Sequence, residues 1–163
     1  MKPMKFSNTN VLKIFKTGIL IPVLVMFIAC SKDDDSFARV TVNGTLLQAN
    51  DSDFTVGDRS DFNGDIDASF SGNGGTTIRS FTWNNTLNTA DYNADITASS
   101  AGNFQMIVED AEGMVVLDRV IQGGAEPDTI GGVTQEGAPG IWTVTIRVTD
   151  FNGDGSFSMS AGD

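Results

Sequence analysis

Ile141-Trp142-Thr143-Val144-Thr145-Ile146-Arg147-Val148-Thr149 is the stretch whose reading decides the fold. Trp142, Val144, Ile146 and Val148 alternate with Thr143, Thr145, Arg147 and Thr149. A period of two sends the first set to one face of a sheet, toward a core, and the second set toward water. A helix would scatter the same residues around its circumference.

The pattern repeats upstream. Phe104, Met106 and Val108 alternate with Gln105 and Glu109, then Asp110-Ala111-Glu112-Gly113 reads as a turn. The chain returns through Met114 to Ile121, which makes a hairpin. Val40 and Val42 run into Asn43-Gly44, a two-residue hairpin signal because both residue types tolerate positive φ. Leu46 to Ala49 continues beyond that turn. Further strands are expected at Phe54 to Val56, Ile66 to Phe70, Ile78 to Trp83, Tyr92 to Ala98 and Ser156 to Ser160. Glycine, asparagine and aspartate separate them at sandwich-like spacing. The fold expected is all-β: an antiparallel β-sandwich, Ig-like or jelly-roll, of about eight or nine strands.

The amino terminus has a different composition. Lys2, Lys5, Lys13 and Lys16 precede an uncharged apolar run from Thr17 to Ala29. That is the layout of a secretory signal peptide. The run falls short of the about 20 apolar residues a spanning helix needs, and Pro22 interrupts it. The division expected is a signal peptide over 1–29, a lipidated cysteine and acidic tether over 30–36, and a β-sandwich domain over 37–163. Phe27-Ile28-Ala29-Cys30 resembles the lipobox of bacterial lipoprotein precursors. The resemblance implies cleavage before Cys30 and acylation of its thiol. Cys30 is the chain's sole cysteine, so no intramolecular disulfide forms. Two or three acyl chains, at about 0.8 kcal/mol per buried methylene, would anchor the mature chain durably. Ser31-Lys32-Asp33-Asp34-Asp35 is similar to the export signal that carries some Gram-negative lipoproteins to the cell surface. The address expected is the outer membrane, lipid-anchored and facing outward.

Four of the ten basic residues lie before residue 30 and all 21 acidic residues lie after it, leaving six against 21 and a net charge of −15. Such a surface repels phosphate backbones and argues against nucleic acid, while attracting cations and basic partners.

Chemistry has few places to reside. The chain has no histidine, which removes the commonest general base and transition-metal ligand. It carries no phosphate loop and no dinucleotide fingerprint. No enzymatic activity and no required cofactor are expected. The most specific local feature is Asp61-Phe62-Asn63-Gly64-Asp65, repeated as Asp150-Phe151-Asn152-Gly153-Asp154, each copy leading to Ser-Phe-Ser. The second copy continues with Gly155, giving the opening half of a calcium loop. Asp150, Asn152 and Asp154, with Asp61, Asn63 and Asp65 as a second set, are the candidate calcium ligands. The plainer reading is a hairpin turn held by Asn-Gly and the aspartates. Among the aromatics, Trp142 belongs to the core. Trp83, followed by Asn84-Asn85-Thr86, is expected at the surface, and with Tyr92 forms the candidate ligand-binding set.

Gly137-Ala138-Pro139-Gly140-Ile141-Trp142-Thr143-Val144, ending in Asp150 and Gly153, resembles the closing strands of accessory β-sandwich modules, the pre-peptidase C-terminal domains and proprotein-convertase P-domains. The resemblance implies an accessory, non-catalytic role. A glycan or protein partner at the cell surface is expected. Two alternatives stand beside it: a carbohydrate-binding module for glycan capture, and a small carboxylate-dependent hydrolase.

Overall fold

Alternation carries the strand at Ile141 further than its glycines suggest. In the computed structural model, which describes residues 35–49, 55–56 and 64–162, it forms the first part of a strand of 22 residues. Nine strands are described: β1 (Phe37–Val42), β2 (Thr45–Leu46), β3 (Thr55–Val56), β4 (Ile66–Asn85), β5 (Ala90–Ile96), β6 (Ala101–Glu109), β7 (Val115–Gln122), β8 (Thr129–Val133) and β9 (Gly140–Ala161). The described residues contain no helix. Every pairing is antiparallel except that of β3 with β4. The signal peptide, Cys30, Ser31 to Asp34, Phe54, Asp61 and Asn63 lie outside the described residues.

Two pairs of expected strands prove to be single strands. Ile66 to Phe70 and Ile78 to Trp83 both belong to β4, and Ile141 to Thr149 and Ser156 to Ser160 both belong to β9. The glycine-rich stretch between each pair stays in the sheet: Asn73 pairs with Asn152 and Gly75 with Phe151, and regular pairing resumes at Thr77 and Val148. The Asp150–Asp154 pentapeptide is thus a bend within a strand, not a hairpin turn. Gly74 at φ 66° and Asp150 at φ 46° supply left-handed backbone on the two strands. Extra residues there act as bulges, which bend a strand and leave its ladder intact on either side. The bend also depends on close backbone approach, since a Cβ on Gly75 would collide with the Phe37 carbonyl.

Each bulge switches the parity of the inward row. On β4 the buried apolar side chains are Ile66, Ala68 and Phe70 before the bend and Phe81 and Trp83 after it. On β9 they are Trp142, Val144, Ile146 and Val148 before, and Phe151, Phe157 and Met159 after. Without the switch, half of each long strand would turn its apolar row to water.

The bent β4–β9 ribbon supplies both layers of the sandwich, an arrangement in which strands pass from one sheet to the other at a corner. In the first layer, residues 66–75 and 151–161 are extended by β1 and β2 on one side and by β5 and β8 on the other. In the second, residues 77–85 and 140–148 are extended by β3 on one side and by β6 and β7 on the other. The inward rows form one core. Phe70 stacks on Phe104 with ring centroids 4.3 Å apart, and Trp83 meets Trp142 edge-on at 5.9 Å.

The hairpin turns at Asn43-Gly44 and Asp110 to Gly113 form as expected, with Asn43 at φ 46° and Gly44 at φ 77°. Asp110 does more than turn the chain. Its Oδ1 accepts hydrogen bonds from the Glu112 and Met114 N–H groups, and its Oδ2 accepts one from Ala138 N–H at 2.7 Å. The Ala138 carbonyl in turn accepts from Trp142 Nε1. One carboxylate therefore ties the β6–β7 turn to the segment that leads into β9.

Candidate functional site

Among the described residues, β7 and β8 are the ends of the two layers on one side: β7 pairs with β6 alone, and β8 with β5 alone. Hydrogen bonds beyond the strand ends fix which backbone groups each strand leaves free. The Gly123 N–H donates to the Gly102 carbonyl, and the Asp110 N–H to the Met114 carbonyl, at the two ends of the β6–β7 ladder. By antiparallel alternation, Arg119 and Ile121 then bond to β6, while the N–H and C=O groups of Val116, Asp118, Val120 and Gln122 point away from it. The Val116 carbonyl accepts from the Gln135 N–H at 3.0 Å, and the edge is free from Asp118 onward. The same alternation on β8, set by Ile96 N–H to Asp128 C=O and Thr134 N–H to Ala90 C=O, frees the groups of Thr129, Gly131 and Val133.

Between these edges lies a cleft with two lobes, about 270 Å³ and about 300 Å³, which share Tyr92, Asp118 and Arg119. Arg119 reaches it by register. It pairs with the fully buried Met106 and stands between Leu117 and Ile121 on the core-facing row of β7, yet it is exposed because no further strand covers this side. Tyr92 comes from the core-facing row of β5 in the opposite layer. Tyr92 is 8% exposed; its hydroxyl makes no hydrogen bond among the described residues, and since no buried side-chain oxygen there lacks a partner, that hydroxyl meets solvent. Gly132 is the ladder partner of Tyr92, and a Cβ there would sit 3.5 Å from the Tyr92 hydroxyl oxygen, so the bare backbone leaves the phenol end clear. Apolar walls come from Val115 and Val133 in one lobe and from Val120 and Ile130 in the other.

The charges sort onto different faces. Asp118 belongs to the outer row of β7, where its Oδ1 accepts from Gln105 Nε2 at 2.7 Å. That leaves the Arg119 guanidinium as the charged group on the inner row. No carboxylate or carbonyl among the described residues engages it. Arg79, on the far side of the sandwich, is different: its Nε donates to the Leu47 carbonyl at 3.0 Å and its Nη1 to the Ile78 carbonyl at 2.8 Å. A cation there completes the fold, whereas the one in the β7–β8 cleft has its donors unspent.

The described residues among those singled out from sequence are not brought together. Trp83, expected at the surface, is 1% exposed, and its indole N–H donates to the Gly64 carbonyl. Alternation explains the correction, because Trp83 shares the inward row with Phe81. Tyr92 does line a cleft, though with its hydroxyl end and not as an open ring platform. Asp150, Asn152 and Asp154 follow one another along β9 instead of curling round a point. Asp150 Oδ1 accepts from Thr76 Oγ1, and Asp154 Oδ2 accepts from Thr97 Oγ1 at 2.8 Å. Asp65, ahead of β4, gives its carbonyl to Asn43 Nδ2. Among the described residues no three carboxylates gather at metal-binding distance.

One titration is set by the fold. The backbone N–H groups of Ala138 and Met114, then those of Glu112 and Gly113, hold the Asp110 carboxyl below its ordinary value of 3.8 against the opposing effect of burial.

Comparison with known proteins adds no relative. No family model, curated protein or solved structure matches the chain. The site therefore rests on its own geometry.

Proposed function

We propose that this chain is a bacterial lipoprotein, held on the outer membrane by acyl chains on Cys30 and displayed at the cell surface, whose β-sandwich is a non-catalytic binding module. Its ligand enters the cleft between β7 and β8. The observation that supports the reading is the pairing of a nine-tenths-buried Tyr92, its hydroxyl unspent, with an unengaged Arg119 on the facing layer. A phenol hydroxyl and a guanidinium that make no hydrogen bond within the described fold and line one cleft can both be satisfied by a single polar ligand.

Tyr92 is the sole tyrosine, so ring-labelled tyrosine gives one resonance that reports on the cleft. Neutral oligosaccharides, short peptides and small aliphatic carboxylates, each at millimolar concentration, form the test panel. A saturable shift with one class, weakened by Arg119→Gln, is the expected result. A resonance that none of the three moves would contradict the reading. The anchor is tested separately: mass spectrometry of the mature amino terminus should find an acylated Cys30, and Cys30→Ala should release the domain from the membrane. A mature chain beginning elsewhere without lipid would contradict it.

A further inference from the structure

We infer that the cleft takes an extended peptide, which adds to the β7 edge as a strand and presents a carboxylate to Arg119 and Tyr92. The inference rests on the cleft being the binding site and specifies what fills it. Shape is the first argument. The walls are two strand edges; the Gln135 N–H occupies the Val116 carbonyl, and the free stretch of β7 from Asp118 to Gln122 runs roughly 17 Å at about 3.4 Å per residue, the reach of an extended pentapeptide. Backbone chemistry is the second. The outward N–H and C=O groups of Asp118, Val120 and Gln122 form a row of donors and acceptors that an added strand would satisfy. Charge is the third. On a domain this acidic, a guanidinium on the inward row and a phenol hydroxyl lining the same cleft supply donors suited to a carboxylate. Gly131 and Gly132 on the opposite edge carry no side chains to narrow the entrance.

An inward charge on an edge strand also discourages edge-to-edge association. That role would be complete without a second donor in the cleft; the Tyr92 phenol lining the same lobes favours a ligand.

The carboxylate can come from a chain end or from an acidic side chain, and three synthetic pentapeptides separate the two. One alternates threonine and valine with a free carboxyl end, the second is its amide, and the third is an amide with glutamate at the centre. Each is titrated into the lipid-free mature domain while backbone amide exchange and the Tyr92 resonance are followed. The expected result is binding by the first or the third but not the second, with the Asp118 and Val120 amides becoming protected. Arg119→Gln should weaken that binding by about tenfold or more. N-methylating alternate peptide amides should weaken it comparably, without altering the protein. If pentanoate shifts Tyr92 but no peptide protects the β7 amides, strand addition is wrong and the cleft reading survives. If the domain is already a dimer with those amides protected, a second copy holds the edge and the inference is overturned. If neither peptides nor pentanoate perturb Tyr92, the inference is overturned, and the cleft reading falls with it when neutral oligosaccharides leave Tyr92 unmoved too.

Discussion

Asp110 illustrates how much one residue can organise. Its two oxygens join the β6–β7 turn to the approach of β9 through three backbone N–H groups. An asparagine keeps one acceptor oxygen but cannot accept from the Ala138 N–H with its amide nitrogen. Asp110→Asn should therefore lower Tm at neutral pH more than Asp118→Asn, whose side chain makes one exposed bond. The pH dependence follows from the depressed carboxyl. Stability owed to Asp110 is present in full above the ordinary value of 3.8 and is lost as pH falls through the lower value of the folded state. The gap in Tm between wild type and Asp110→Asn should thus close in that acid range. A gap that stays constant would show that ionisation of Asp110 is irrelevant.

At the scale of elements, the bent β4–β9 ribbon carries the fold, and its corner is where sequence reading failed. The glycines and the Asn-Gly and Asp-Gly pairs form loops in many proteins and bulges in others, so their presence marks a change of direction without saying whether pairing stops. Gly75→Ala tests the corner. Its new Cβ would meet the backbone at Phe37, which has no flexible end to swing aside. Destabilisation of about 1–3 kcal/mol in denaturant melts is expected, as for overpacking elsewhere. Asp154 tests the alternative role of the same segment. Its carboxylate is engaged by Thr97 and its neighbours extend along a strand, so Asp154→Ala should cost about 1 kcal/mol or less, and equally in calcium and in chelator. A loss confined to calcium-loaded protein would place a metal in the strand's charge row after all.

The molecule as a whole was partly legible. Rows such as Trp142 to Val148 and Phe104 to Val108 announced themselves because a sheet facing a core must alternate. β8 did not. Thr129-Ile130-Gly131-Gly132-Val133 lacks a period because Gly132 gives up its inward side chain above Tyr92. The cleft was hidden for a related reason. A cleft between strand edges follows from the order in which strands pair, which local pattern does not encode. One signal was present: Leu117, Arg119 and Ile121 share a parity, so an arginine on the inward row of the hairpin's second strand was readable as a cation facing the core. The central claim is that β7 ends its layer with an edge open from Asp118 to Gln122, beyond the Val116 carbonyl that Gln135 occupies. Native-state hydrogen exchange of individual amides tests it most directly. The account predicts alternation along β7, with Arg119 and Ile121 protected by β6 while Asp118, Val120 and Gln122 exchange near the rate of exposed backbone. Uniform protection of all five amides in the monomer would mean the edge is already covered, and would contradict the account.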